Sequence, residues 1–262
     1  MADGAAGRGG GIEVVSRVGD LLRGISTHEP EGVSTTSVAR HVEMARPTAH
    51  RLLTSLAREG LVDRDPVTGR WHLGPELYLL GASAAPRYDI GRHARGIVHD
   101  LAQETGESAF LSARRGDETV CLLAEDGSFP LRSHVLREGI RFPLGVASAG
   151  LAILAHLPER ELDAFLAGPG AELAAEWGGA HDVAALTARV RETRTSGFAT
   201  NPGLVVEGSW GMGAAVFDRS GSPAWALSLT GVESRFRDDR RPELGRLLLD
   251  RAHRLTVALR RS

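Results

Sequence analysis

Apolar residues recur at helical spacing from the start of the chain, broken only by short polar stretches. Val14, Val18, Leu21, Leu22 and Ile25 predict a helix over residues 12–27 that ends before "HEPEG". Ser34 is the expected N-cap of a second, short helix, "STTSVARHV", with Val38 and Val42 one turn apart. In "ARPTAHRLLTSLAREGL", residues 45–61, Ala49, Leu52, Leu53 and Leu56 fall at i, i+3, i+4 and i+7, one stripe of a third helix, with Pro47 in the first turn. Gly60 closes that helix, and "LVDRDPVTGRWHLG" alternates around a Pro/Gly turn as a hairpin does. Helix, turn, helix and hairpin in this order spell a winged helix-turn-helix over residues 12–74. A small helical subdomain with an incidental hairpin fits the same lengths less well.

Beyond it, Leu77, Leu80 and Ala84 share a face of a linker helix over residues 75–86, with Pro86 marking a boundary. From Arg87 the pattern is mixed. Ile90, Ala94, Ile97, Val98 and Leu101 predict a helix stopped by Gly106, followed by two strands around the turn Arg115-Gly116-Asp117. Residues 148–157, 158–168 and 183–197 read as helices, "WGMGAAVFDRSGSPAWALSLTG" as a second hairpin, and a terminal helix carries Leu244, Leu248, Leu255 and Leu259. Strands flanked by helices without βαβ alternation predict an antiparallel α+β sensor-type domain over residues 87–262.

The third helix gathers Arg46, Thr48, His50 and Arg51 at its N-terminal end, where the macrodipole disfavours cations. An anionic partner resolves the conflict: in a helix-turn-helix this end enters the major groove, and arginine pairs bidentately with guanine. Arg40, Arg64 and Arg70 add to the same local surface, and residues 33–74 hold six arginines against four acids. The charge is local, because the whole chain of 262 residues carries a net charge of only -2. Its basic residues other than histidine are all arginine, which fits coding bias in a GC-rich genome.

A single cysteine, Cys121, excludes an internal disulfide and a Cys-based zinc site, and with it a reducing compartment is the expectation. "MADGAAGRGGG", residues 1–11, lacks the apolar core of a signal peptide and reads as a flexible arm; no window is apolar enough for a membrane span, so the expected location is the cytoplasm. Catalytic signatures are missing: the ten histidines show no metal-ligand spacing, no Gly-rich phosphate loop opens a helix, and Cys121 sits mid-strand. No cofactor, no metal and no enzymatic activity are expected. In "AWALSLTG", Ser228 and Thr230 fall on the opposite strand face from Trp225, Leu227 and Leu229. That places two hydroxyls together, for a carboxylate or ketone, or for solvent.

"GVSTTSVARHVEMARPTAHRLLTSLAREGLVDRDPVTGRWHLGPEL" resembles the DNA-binding domain of the isocitrate lyase regulator (IclR) family of bacterial transcription factors. The resemblance continues through "FPLGVASAGLAILAHLP" and "GMGAAVFDRSGSPAWALSLTG" and covers residues 12–260. It implies a winged helix-turn-helix joined by a linker helix to a GAF-like effector domain, acting as dimers or dimers of dimers on palindromic operators. Expected DNA contacts are Ser34, Thr35, Thr36, Arg40, Arg46, Pro47, Thr48, His50, Arg51 and Arg70. Expected effector contacts are Gly145, Val146, Ala147, Asn201, Gly211, Met212, Ser228 and Thr230.

The sequence departs from the family pattern at several of these places. Pro47 stands where a serine is common, Leu151 where a lysine is usual, Gly203 and Leu204 where an acidic pair is frequent, and Gly211 at the pocket cysteine position. A larger, less polar cavity and an effector more apolar than a two- or three-carbon acid are therefore expected. A regulator that has lost its ligand, or a carrier or enzyme built on the α+β domain, are the alternatives; salt-sensitive, sequence-specific DNA binding separates the last from the rest.

Overall fold

The computed structural model describes residues 13–85, 90–131 and 135–261; the arm and the Pro86 boundary lie outside them. The chain divides into two compact units, Met1–Tyr88 and Asp89–Ser262, with the linker helix counted in the first. Among the described residues, no helix is long and apolar enough to cross a membrane.

The first unit holds α1 (Glu13–Ser26), α2 (Thr35–His41), α3 (Arg46–Arg58), β1 (Val62–Arg64), β2 (Trp71–Leu73) and α4 (Pro75–Ala84). Ser34 caps α2, its Oγ accepting from the Ser37 amide at 3.1 Å. Leu21, Ile25, Val38, Ala49, Leu53, Leu56, Val62 and Trp71 form one buried core, while Leu52 is only half-buried. The hairpin turns on Asp65, whose carboxylate accepts the Thr68 amide and hydroxyl and the Val67 amide, which hold its pKa below the usual range. Of the hairpin, Val62 and Trp71 face the core. Helix α4 buries none of its residues, and Tyr78, Leu79 and Leu80 stand exposed while Leu77 is half-buried.

The second unit is built on a six-stranded antiparallel sheet of order β5-β4-β3-β8-β7-β6. Its strands are β3 (Ser108–Arg115), β4 (Glu118–Glu125), β5 (Arg141–Pro143), β6 (Ala199–Pro202), β7 (Ser209–Phe217) and β8 (Pro223–Val232). Helices α5 (Ile90–Thr105) and α10 (Arg241–Arg261) cover one face, their Ala94, Val98, Leu101, Leu248 and Leu255 packing on Leu111, Met212, Leu227 and Leu229. The other face receives α6 (Ser148–Ala155), all eight residues of which are buried, as an apolar run without a polar side must be. Around it lie α7 (Glu159–Ala167), α8 (Pro169–Trp177), the 3-10 turn Gly179–His181 and α9 (Val183–Ser196). The short strands β5 and β6 and the helix α8 have no counterpart in the sequence expectation.

Cys121 is buried on β4, and burial, with Glu138 adding to it, pushes its thiol up to about 12. The native protein will therefore resist a thiol-specific reagent at pH 8 and react only when unfolded. Rapid labelling of the folded chain would contradict the placement.

Candidate DNA interface and effector pocket

The stripe that buries Ala49, Leu53 and Leu56 turns the other side of α3 outward, so Arg46, Pro47, His50 and Arg51 are exposed and Thr48 is half-buried. The first turn of α3 contains no acidic residue, leaving its N–H groups and two arginines to a shared anionic surface. His50 lies edge-on to Trp71 of the hairpin, ring centroids 6.4 Å apart, and Arg64 lies over the same indole at 5.6 Å. One aromatic ring thus fixes the wing beside the recognition helix.

The other expected contacts divide by what already holds them. Thr36 and Arg40 are exposed on α2. Ser34 serves as the cap, and the half-buried Thr35 accepts the Trp71 indole N–H at 2.9 Å. Arg70 donates Nη1 to the carbonyls of Glu31 and Gly32, both at 3.2 Å, tying the wing to the α1–α2 connection. These three side chains have internal partners that build the domain; the cap is legible in the sequence, whereas the distant partners of Thr35 and Arg70 are not.

In the second unit, β8 delivers Ser228 and Thr230 to the α6 face as the alternation requires, opposite Leu227 and Leu229. Together with Ala147, Asn201 and Gly211 they line a pocket at the N-terminal end of α6. Both hydroxyl oxygens are buried without a hydrogen-bond partner. Asn201 is already engaged: its amide donates to the Val146 carbonyl at 2.6 Å and accepts from the Leu204 amide at 3.0 Å. It shapes the loop and lines the pocket.

Three expected contacts do not line the pocket. Met212 is fully buried on the opposite face of the sheet, among the residues under α5 and α10, because it alternates with Gly211. Val146 is buried in the α6 core and contributes its carbonyl to Asn201. Gly145 adopts φ +84°, and a Cβ there would stand 2.7 Å from Leu186, so this glycine lets the loop turn tightly against α9.

The pocket is also neither large nor bare. Ser112, Thr119, Ser148 and Ser209 bring hydroxyls that the sequence comparison did not single out, while Phe142, Leu136 and Trp210 narrow the space. At Gly211 a Cβ would lie 3.0 Å from Ser148 Oγ, so the volume freed by the missing side chain is taken by a serine. About 30 Å³ is open to the centre of a water molecule, within about 460 Å³ of atom-free space that includes open solvent. That holds a water or two. The expectation of an enlarged cavity is thus corrected by groups arriving from β3, β4 and α6, while the accessible lining remains mainly apolar, as expected.

A winged helix-turn-helix unit followed by an α+β unit with a hydroxyl-bearing pocket defines the class: a DNA-binding regulator with a separate C-terminal α+β domain. The family descriptions "IclR helix-turn-helix domain" and "Bacterial transcriptional regulator IclR C-terminal" match residues 14–66 and 82–257. The chain belongs to the IclR family of bacterial transcriptional regulators. It is 28% identical over 250 residues to the HTH-type transcriptional regulator BhcR of Paracoccus denitrificans, spanning 95% of this chain and 88% of that one. To the HTH-type transcriptional regulator Rv1719 of Mycobacterium tuberculosis it is 32% identical over 209 residues, 80% and 78% of the two chains. Its fold is that of an IclR homolog from Microbacterium hydrocarbonoxydans, crystallised in complex with 4-hydroxybenzoate, with a TM-score of 0.75 at 20% identity over 95% and 100% of the chains.

Proposed function

We propose that this chain binds a palindromic operator as a homodimer or a dimer of dimers in the cytoplasm, and that a small organic effector in the α6 pocket changes its DNA affinity. Residues 12–74 bind DNA, 75–86 link, and 87–262 bind the effector and help to oligomerise; the activity is binding, without catalysis. One winged domain covers one half-site, so a specific complex needs two. The exposed Tyr78, Leu79 and Leu80 of α4 supply an apolar surface for a second protomer.

The observation that carries the effector reading is the pair of buried, unpartnered hydroxyls of Ser228 and Thr230. Buried polar groups are nearly always paired, and these two face apolar walls at the N-terminal end of a helix. A ligand with one polar head and an aromatic or aliphatic body answers both features. The head reaches the two hydroxyls and the first amides of α6, and the body, larger than the space now open, enters by moving Phe142, Leu136 and Trp210 apart. The complex of a fold relative with 4-hydroxybenzoate supports this chemistry.

A thermal-shift screen tests it, with 4-hydroxybenzoate and medium-chain acids beside pyruvate and glyoxylate. A true effector stabilises by about 2.7 kcal/mol at a hundredfold excess over its Kd, and it also alters operator affinity. Ser228→Ala is expected to leave the ligand-free stability unchanged, since the hydroxyl it removes has no partner, and to weaken the ligand response. Hits confined to the two- and three-carbon acids, or a response indifferent to Ser228→Ala, would contradict the reading.

A further inference from the structure

Outside the effector pocket, unmatched polar atoms gather at one other place. Trp177 Nε1, His181 Nε2 and the Nε and Nη1 of Arg189 are all buried without a hydrogen-bond partner. They are neighbours. The Trp177 and His181 rings stand 6.4 Å apart, His181 feels the charge of Arg189, and Arg189 donates its remaining nitrogen, Nη2, to the Gly145 carbonyl at 2.9 Å. His181 is fully buried and points Nδ1 at the Trp177 carbonyl, 2.9 Å away, while Nε2 turns toward the Val146 carbonyl without closing a well-formed hydrogen bond. None of the three lines the effector pocket; Phe142, whose ring meets Trp177 edge-on at 5.6 Å, lies at the boundary.

We propose that Trp177 and Arg189, with His181 packed beside them, form a second ligand site, which takes the carboxylate of a small organic acid. A buried guanidinium without a counter-ion is costly, and among the described residues no carboxylate pairs with Arg189. Its burial lowers its pKa, in keeping with an uncompensated charge. A carboxylic acid fits the set of atoms present. In its ionised form the group accepts from the indole N–H and from the unpartnered Nε–H and Nη1–H of the guanidinium. The single guanidinium charge matches a monoanion and leaves a phosphate dianion under-neutralised. The bound acid would act on the same loop as the effector pocket, since Arg189 grips Gly145 and Ala147 lines that pocket.

The test follows the indole N–H resonance of Trp177 by NMR in the full-length protein, assigned with Trp177→Phe, during titration with acetate, with phosphate, and with chloride at equal ionic strength. The expected result is a saturable shift with acetate alone, about tenfold weaker or more in Arg189→Gln and retained in Ser228→Ala. No saturable shift in the wild type would overturn the site, and saturation by phosphate instead of acetate would overturn the assignment to a carboxylic acid. A response kept in Arg189→Gln but lost in Ser228→Ala would place the acid in the effector pocket, which overturns this proposal and leaves the effector reading standing. Should Arg189→Gln fail to fold, Arg189→Lys serves in its place; it keeps the charge and loses the fork, so acetate binding undiminished in both it and Trp177→Phe, followed by thermal shift, also counts against the site.

Discussion

Replacing Arg51 with alanine will lower the affinity for operator DNA by about 1–3 kcal/mol, roughly five- to 150-fold, while the thermal unfolding of the protein stays unchanged. The side chain is exposed one residue before Leu52 and two before the buried Leu53, so the helix holds it in place without using it in the core. Arg58, exposed at the other end of α3, is the internal control; it lies three turns from the wing-side N-terminus and its loss will matter far less. Fluorescence anisotropy on a footprinted operator measures both variants. Wild-type affinity and sequence preference in Arg51→Ala would mean that another surface reads the bases.

Glu107→Ala will destabilise the second unit by about 3 kcal/mol, near the lower end of what breaking a buried ion pair costs, because the arginine partners retain some water. The Glu107 side chain is 1% exposed and accepts from Arg235 at 2.7 Å and Arg240 at 2.6 Å, whose side chains are 30% and 20% exposed. Both arginines also donate to the Thr105 carbonyl, so the end of α5, the start of β3 and the entry to α10 are tied at one carboxylate. Ser108 pairs with Thr230 next to this knot, and a Cβ on Gly231 would lie 2.4 Å from Glu107 Oε2. The knot therefore fixes the β8 end that carries the pocket hydroxyls. Urea unfolding of the full chain, followed by the transition of the second unit, reads the effect; an unshifted transition would show that the arginines pair equally well with water.

The first unit was legible almost to the residue because each of its signals is local. Ser34 caps, Pro47 opens α3, Gly60 follows its end, and the apolar stripes need no knowledge of what they pack against. In the second unit the hairpins and the faces of β8 were equally readable, since the inward and outward sets of Trp225–Thr230 follow from alternation. The pocket was not. Its wall is assembled from β3, β4, β5, α6, β6, β7 and β8, and Ser112, Ser148 and Ser209 meet there through sheet order and the packing of α6 on the sheet, which spacing within one segment cannot encode. Met212 was misplaced for a related reason: matching Gly211 and Met212 as neighbours in sequence ignores that consecutive strand residues face opposite layers. The short strands β5 and β6 are too brief to show a period, and α8 is hidden behind the helix-breaking start Gly168-Pro169-Gly170.

The most direct test of the central claim is selection of binding sites by the full-length protein from a random double-stranded DNA library, repeated across a range of salt concentrations. The account predicts an enriched inverted repeat whose half-sites lie on one face of the duplex, bound with an affinity that falls steeply as salt rises. Enrichment of no sequence, or binding that is indifferent to salt, would contradict it.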